Sequence, residues 1–308
     1  ARDLDKSDSI PFAPRPQPTP PLTSRPTRFS VTEVETLRRD PYAIYARRIL
    51  RLQALEPLLR DPGAAERGTL FHDIAHGFAI SGCDPFAPDA ETRLLEIGRQ
   101  TFDEARLPPD IDAVWWPRFV RMAGKFIGWE RSRPAGTLQR IAETRADATL
   151  VGASGATLSG RADRIDLRPA GMADILDFKT GMTPSKAQAH TLISPQLALE
   201  GALLMRGAFA EAGAATPSEL AHVRMKANGE VIEESILEYN RETKSAVELS
   251  TEAWARLEQL LTHYGNEATG YLSRALPFRE GDFAGDYDHL ARVLEWSAGG
   301  EDSAGDGE

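Results

Sequence analysis

Apolar residues recur first at helical spacing along the chain and later at strand spacing. Ser30-Val31-Thr32-Glu33 reads as a capping box, with the serine hydroxyl accepting a backbone N–H and the glutamate reaching back. Val34 and Leu37 then share one face. Asp40-Pro41 restarts the helix as cap and first residue, and Tyr42, Tyr45, Ile49 and Leu52 carry the spacing on. Further helices are predicted over Ala64–Ile80, 91–105 and 117–131. From about Leu138 the period drops to two. Strands are predicted over Gln139–Leu150, Thr157–Leu167 and 172–178, with turns at Gly152/Gly155 and Pro169-Ala170-Gly171. Ser194-Pro195 opens a helix to about Ala212. Strands 222–226 and 231–237 are joined by Asn228-Gly229, a strong hairpin signal. A long helix follows over 241–264. A helical N-terminal part and a sheet with helices on its faces make this an α/β chain.

The edges read differently. Residues 1–28 hold seven of the 21 prolines and little periodicity, as an extended linker would, and imply a chain cut from something longer. Residues after 297 are Gly, Ser and acid, as in a disordered tail. The expected organisation is a linker over 1–28, one folded region over 29–297 and an acidic tail over 298–308. Within the folded region a helical part covers 29–137, a sheet core 138–240 and C-terminal helices 241–297.

At 308 residues the chain is long enough for one large domain or two. It has no run of about 18 apolar residues for a membrane span, and its charged, Pro-rich first residues are not expected to act as a secretory leader. The single Cys83 excludes an intramolecular disulfide, a four-cysteine zinc site and a cysteine-held iron–sulfur cluster, so a reducing cytoplasm is expected. A net charge of −10 argues against a polycation that coats nucleic acid, but leaves room for a local basic groove. No phosphate-cradling Gly-x-x-x-x-Gly-Lys-[Ser/Thr] occurs.

The chemistry concentrates in Gly160-Arg161-Ala162-Asp163-Arg164-Ile165-Asp166-Leu167 and Asp174-Ile175-Leu176-Asp177-Phe178-Lys179-Thr180-Gly181. Strand alternation puts Asp163 on the face of Ile165 and Leu167, and Asp177 on that of Ile175 and Lys179. A carboxylate among apolar neighbours is costly unless a cation or hydrogen bonds compensate it. Two of them at neighbouring strand ends, beside a lysine, make a hard-cation site plausible. The plainer alternative is that Asp163–Arg164 and Asp177–Lys179 are rim ion pairs.

These two segments resemble the nuclease motifs of the PD-(D/E)XK superfamily in its RecB-like branch. Ser194-Pro195-Gln196-Leu197 is similar to that family's glutamine motif, and Gly68-Thr69-Leu70-Phe71-His72 to its Gly-x-x-x-His. Asp40-Pro41-Tyr42-Ala43-Ile44-Tyr45-Ala46 and Gly285-Asp286-Tyr287-Asp288-His289-Leu290-Ala291-Arg292 extend the likeness over about residues 29–297. They resemble the C-terminal nuclease domains of AddB-type double-strand-break repair proteins. The resemblance implies a restriction-endonuclease-like mixed sheet with helices on both faces, and an exonuclease using Mg²⁺ or Mn²⁺. It implies His72, Asp163 and Asp177 as side-chain metal ligands, the Phe178 carbonyl as a further ligand, and Lys179 to orient or stabilise the attacking hydroxide. Gln196 would position the lysine or the DNA. It also implies unwound, single-stranded DNA ends as substrate, a helicase-like domain before the linker, and an AddA-type helicase–nuclease subunit as partner. A domain that keeps the fold only to dock DNA and a partner is the rival reading.

The chain departs from that pattern in two places. Iron–sulfur members carry a cysteine before the Pro-aromatic pair and three more near the C-terminus. Here the first position is Asp40 and no cysteine follows Cys83, so other packing must tie the two ends together. The family's aromatic residue four after the glutamine is Glu200, which puts a DNA contact there in doubt.

Two other features invite function. His72-Asp73-Ile74-Ala75-His76 mimics the His-Glu-x-x-His of zinc proteases, but Asp is one methylene short of the usual base and no third-ligand motif follows. Basic residues dominate 25–60 and 115–140, and the second stretch carries Trp115, Trp116, Phe119, Phe126 and Trp129. That combination suits single-stranded DNA through phosphate contacts and stacking. It suits equally an amphipathic helix with its aromatics in the core. With one cysteine, the purified protein is expected to be colourless and free of stoichiometric iron by metal analysis. Visible charge-transfer absorbance removed by a chelator would contradict this.

Overall fold

The computed structural model describes residues 13–53, 62–133, 136–226, 228–276 and 285–298. Most of the expected acidic tail and the first twelve residues lie outside them. Two compact units interleave along the chain, where the sequence leads one to expect a single continuous region. The larger holds residues 28–32 and 57–258, the smaller 1–27, 33–56 and 259–308.

The larger unit is built on a six-stranded mixed sheet. β2 (Gln139–Leu150) runs antiparallel along one edge of β3 (Thr157–Leu167). The other edge of β3 is shared. β1 (Arg28–Ser30) pairs parallel with residues 157–159, and β4 (Met172–Lys179) pairs antiparallel with 164–167. Residues 160–163 lie between those two partners. β5 (Thr216–Met225) runs parallel to β4, and β6 (Val231–Ser235) antiparallel to β5 beyond Gly229, whose φ of +90° suits the Asn-Gly hairpin.

Helices cover both faces, the expected restriction-endonuclease-like α/β arrangement. α3 (Ala64–Ile80), α4 (Ala90–Ala105) and α5 (Pro109–Ser132) bury Phe71, Phe78, Phe102, Phe119, Phe126 and Trp129 with Leu176, Phe178 and Val223 of the sheet. The aromatic stretch 115–129 is therefore chiefly core, because its helix must cover an apolar sheet face. Only Trp116 is half-buried, against Phe102 and Arg99. Between β4 and β5 the chain forms α6 (Lys186–His190) and α7 (Gln196–Met205), and α7 packs on β3, β4 and β5. α7 stops well before residue 212 because Gly207 turns left-handed (φ +70°) just past its C-cap.

Other boundaries also moved. α5 starts eight residues before Pro117 and carries that proline inside. Asn240 and Arg241 are left-handed and close a small hairpin, β7 (Glu238–Tyr239) with β8 (Glu242–Thr243). α8 (Ala246–Tyr264) then starts at a capping box: the Glu248 N–H donates to Ser245 Oγ, and Glu248 Oε2 accepts the Ser245 N–H at 2.7 Å.

The face of β3 turned to α5 carries a buried charge network. Arg164 donates to both Glu130 oxygens and, through Nε at 2.6 Å, to Asp166. Arg133 and Arg168 share Asp174 Oδ2, each at 2.8 Å. The rim-pair alternative fails for Arg164, which is 1% exposed.

In the smaller unit, α1 (Val31–Arg39; residues 33–39 belong here) is followed by α2 (Pro41–Ile44) and a π-turn over Tyr45–Ile49. The Pro-rich run, expected to be a linker, packs over residues 13–27. Tyr271 and Ser273 donate backbone N–H groups to Pro18 and Pro16 carbonyls, and buried Arg25 caps the carbonyls of Tyr264, Asn266 and Glu267. Arg25 is thus committed to structure. Asp40 accepts the Arg274 N–H at 2.9 Å, Arg274 pairs with Asp288, and the Tyr287 hydroxyl donates to Leu52 O. Tyr42, Ala46, Tyr287, Ala291 and Val293 pack beside them, Val293 opening α9 (Val293–Ala298). These contacts tie residues 40–52 to residues 274–293.

Removing one partner of a buried ion pair leaves an uncompensated charge, at a cost of about 3–5 kcal/mol. Glu130→Ala is expected to lose stability on that scale in urea unfolding. Arg93→Ala, which removes an exposed i,i+3 pair, should stay within about 1 kcal/mol of wild type.

Candidate active site

The site forms where β3 and β4 part. Their ladder ends at Arg164↔Leu176, and the next residues along the register are Asp163 and Asp177. Asp163 Oδ2 accepts the Phe178 N–H at 2.8 Å, a side chain standing in for the missing ladder bond. α3 brings His72 alongside, its Nδ1 3.4 Å from Asp163 Oδ2. Gly68, one turn before His72, lets that helix approach closely, since a Cβ there would come within 2.9 Å of Thr180 Oγ1. Gly68, His72, Asp163, Phe178, Lys179 and Thr180 line an open cleft of about 550 Å³.

Asp177 is tied by three donors. Oδ1 accepts from Lys179 Nζ and Gln196 Nε2, both at 2.7 Å, and Oδ2 is 2.8 Å from His222 Nδ1. Burial pushes the Asp177 carboxyl up, but the His222 hydrogen bond and the Lys179 charge outweigh it and hold the group ionised below its ordinary range. Burial lowers Lys179, yet Asp177 more than offsets this and raises it, so the ammonium stays charged. Gln196 reaches Asp177 from the first turn of α7 and also donates to Glu200 Oε1 at 3.2 Å. Glu200 is buried, and its Oε2 has no hydrogen-bond partner among the described residues. Burial, with repulsion from Asp177 and Asp163, pushes its carboxyl well above the ordinary value. It lies beneath Gln196 and takes no place in the cleft lining.

The expected residues therefore gather in two linked groups. Among the described residues, His72, Asp163 and Glu143 each offer a ligand atom within 4.8 Å of the others. Asp177, Lys179 and Gln196 form the second group. Phe178 contributes its N–H to Asp163 and its ring to the core. Among the described residues His76 is not in the ligand group, and its buried Nδ1 has no hydrogen-bond partner. Two carboxylates suit a hard divalent cation, and an imidazole extends the fit to Mn²⁺.

Glu143 and His222 were not anticipated. Glu143 stands opposite Asp163 in the β2–β3 register, at a left-handed φ of +57° that is rare inside a strand, and pairs with exposed Arg161. His222 is the register partner of Asp177 in β5. Neither could be found from a turn: Glu143 lies beyond a bulge in the β2–β3 ladder, and His222 sits on a strand joined to β4 through two helices.

Burial, then the Asp177 charge, raises the Asp163 carboxyl to about 6 from its ordinary 3.8. The fold thus holds the Asp163 proton more tightly than the unfolded chain does. Its stabilising contribution is full below pH 4 and is lost as pH rises through 6. In chelator, Asp163→Asn is expected to be more stable than wild type at pH 8, by on the order of 2 kcal/mol, with the gain vanishing near pH 4. Thermal melts across that range check this, and equal stability at pH 8 would contradict it.

Comparison with known proteins bears on the same residues. The chain is 27% identical over 185 residues to an uncharacterized protein of Rickettsia bellii, and 28% identical over 191 residues to the uncharacterized protein RC0550 of Rickettsia conorii. Each alignment takes in 60% of this chain and 22–23% of the relative, so the chain spans under a quarter of their length. A crystal structure described as "Putative exonuclease" from Eubacterium rectale aligns over 88% of this chain and 95% of its own, at 10% identity and a TM-score of 0.41. The family model of the PD-(D/E)XK nuclease superfamily matches residues 28–283, taking in the cleft and every residue that lines it. With His72, Asp163, Asp177 and Lys179 all inside that match, this chain belongs to the PD-(D/E)XK nuclease superfamily.

Proposed function

We propose that the chain is a divalent-metal-dependent DNA exonuclease domain that hydrolyses phosphodiester bonds at double-strand-break ends during recombinational repair. The observation that carries this reading is the pair Asp163 and Asp177 at the parting of β3 and β4, with Lys179 bonded to Asp177 at the edge of an open cleft. His72, Asp163 and Asp177 would hold Mg²⁺ or Mn²⁺ with the Phe178 carbonyl, and Glu143 is near enough to join them. When bound, such an ion acidifies water and offsets charge on the phosphate. Lys179 adds a fixed positive charge where negative charge develops. Gln196 steadies Asp177, and the cleft, open to solvent, admits a strand.

On this reading residues 29–297 work as one nuclease region and residues 1–28 lead to a preceding helicase-like domain, as in AddB-type proteins. The relatives' much greater length is consistent with such an arrangement. An AddA-type helicase–nuclease subunit would deliver unwound single strands in the cytoplasm, raising their effective concentration at the cleft. Among the described residues no helix is long and apolar enough to cross a membrane.

The test is digestion of linear DNA with Mg²⁺ and with chelator. Asp163→Ala and Asp177→Ala are expected to abolish cleavage while leaving the fold intact. Lys179→Ala should keep metal binding and lose rate by about 10²–10³-fold, the size of a lost electrostatic stabiliser. Asp177→Ala digesting at the wild-type rate would overturn the assignment and favour a docking domain. In Ca²⁺, binding by this acidic chain alone is expected to be weak, salt-sensitive and stronger for single strands than for duplex ends. Nanomolar, salt-insensitive duplex binding would instead point to a self-sufficient nuclease.

A further inference from the structure

His222 stands outside every motif that pointed to the site, yet it is 3% exposed and lies 2.8 Å from the most heavily bonded carboxylate in it. Its place follows from the sheet. β4 and β5 are parallel, and their register sets His222 beside Asp177. An ionised carboxylate only accepts hydrogen bonds, so His222 Nδ1 carries the proton and donates it.

The three bonds to Asp177 are not equivalent. Lys179 and Gln196 both donate to Oδ1. Two donors on one oxygen anchor that atom and leave the other free to swing about it. Among the described residues His222 alone holds Oδ2. A carboxylate offers about four lone-pair positions over its two oxygens. Oδ1 has both of its own filled, and Oδ2 keeps one open, aimed according to where His222 holds the atom.

We propose that His222 is a positioning residue that orients Asp177, so that the open lone pair of Oδ2 is presented to a divalent cation in one fixed direction. The proposal rests on the reading above that Asp177 is a ligand. Partners behind a metal ligand set its orientation and basicity, and losing one costs about 10–100-fold in metal affinity or activity.

The experiment is Mn²⁺ titration of the purified chain by calorimetry, without DNA, beside thermal melts of each variant. His222→Phe is expected to bind Mn²⁺ about 10–100-fold more weakly, while His222→Asn, whose amide reaches the Nδ1 position, stays within about threefold of wild type. His222→Gln, with its donor one bond further out, should fall between them. Asp177→Ala is the reference and should bind weakly. His222→Phe binding as tightly as wild type, with Asp177→Ala weak, overturns the role of His222 and leaves Asp177 a ligand. Asp177→Ala binding as tightly as wild type removes Asp177 from the ligand set, a failure of the underlying reading. Should His222→Phe melt too low to titrate, His222→Asn and His222→Gln decide: stronger binding by the Asn variant supports the proposal, and equal binding overturns it.

Discussion

Where β3 and β4 separate, a backbone N–H that would lose its ladder partner is taken by the Asp163 carboxylate. Much of the site follows from this one bond. It fixes Asp163 at the mouth of the gap between β1 and β4 along the shared edge of β3. It also holds the Phe178–Lys179 end of β4 in place, which sets Asp177 and Lys179 within reach of α7. A buried polar group left unpaired there would cost roughly 1–3 kcal/mol. The geometry that suits chemistry is thus also the one that satisfies the backbone.

Alternation along β3 sorts one short motif into two jobs. Arg161 and Asp163 line the cleft. Arg164 and Asp166, one residue out of phase with Asp163, turn to α5 and join the buried network with Glu130. A one-residue slip of β3 would exchange these sets, bringing Arg164 into the site and carrying Asp163 under the helix toward Glu130. The ion network therefore fixes the register on which the site depends. It is a poor source of net stability but a strong penalty on misalignment.

What was legible in the sequence was local. Asp163, Asp177 and Lys179 stood out because a period of two and short spacings define a strand's face without reference to any other strand. Gln196 came from its own motif. Glu143 and His222 depend on pairings between strands, and their neighbours in sequence give no hint of them. β1 is three residues long, too short to show a period. The aromatics over 115–129 have the same composition whether they stack on bases or fill a core, so only the sheet face beneath them decides. Glu200 was ambiguous as a departure from a family pattern, and burial beneath Gln196 accounts for it.

The smaller unit is assembled from the two ends of the chain and a stretch near its start. Arg25 bonds the carbonyl of a residue 239 positions away. Closing so long a loop carries an entropic cost that no local contact offsets in advance. During synthesis the sheet of the larger unit has all of its strands by residue 235, whereas the smaller unit must wait for residues 259–298. Its segments therefore spend the longest time as unfolded chain, with Tyr42 and Tyr45 available to other binders until α9 emerges. Vectorial folding gives this protein a cleft before it gives it a closed chain.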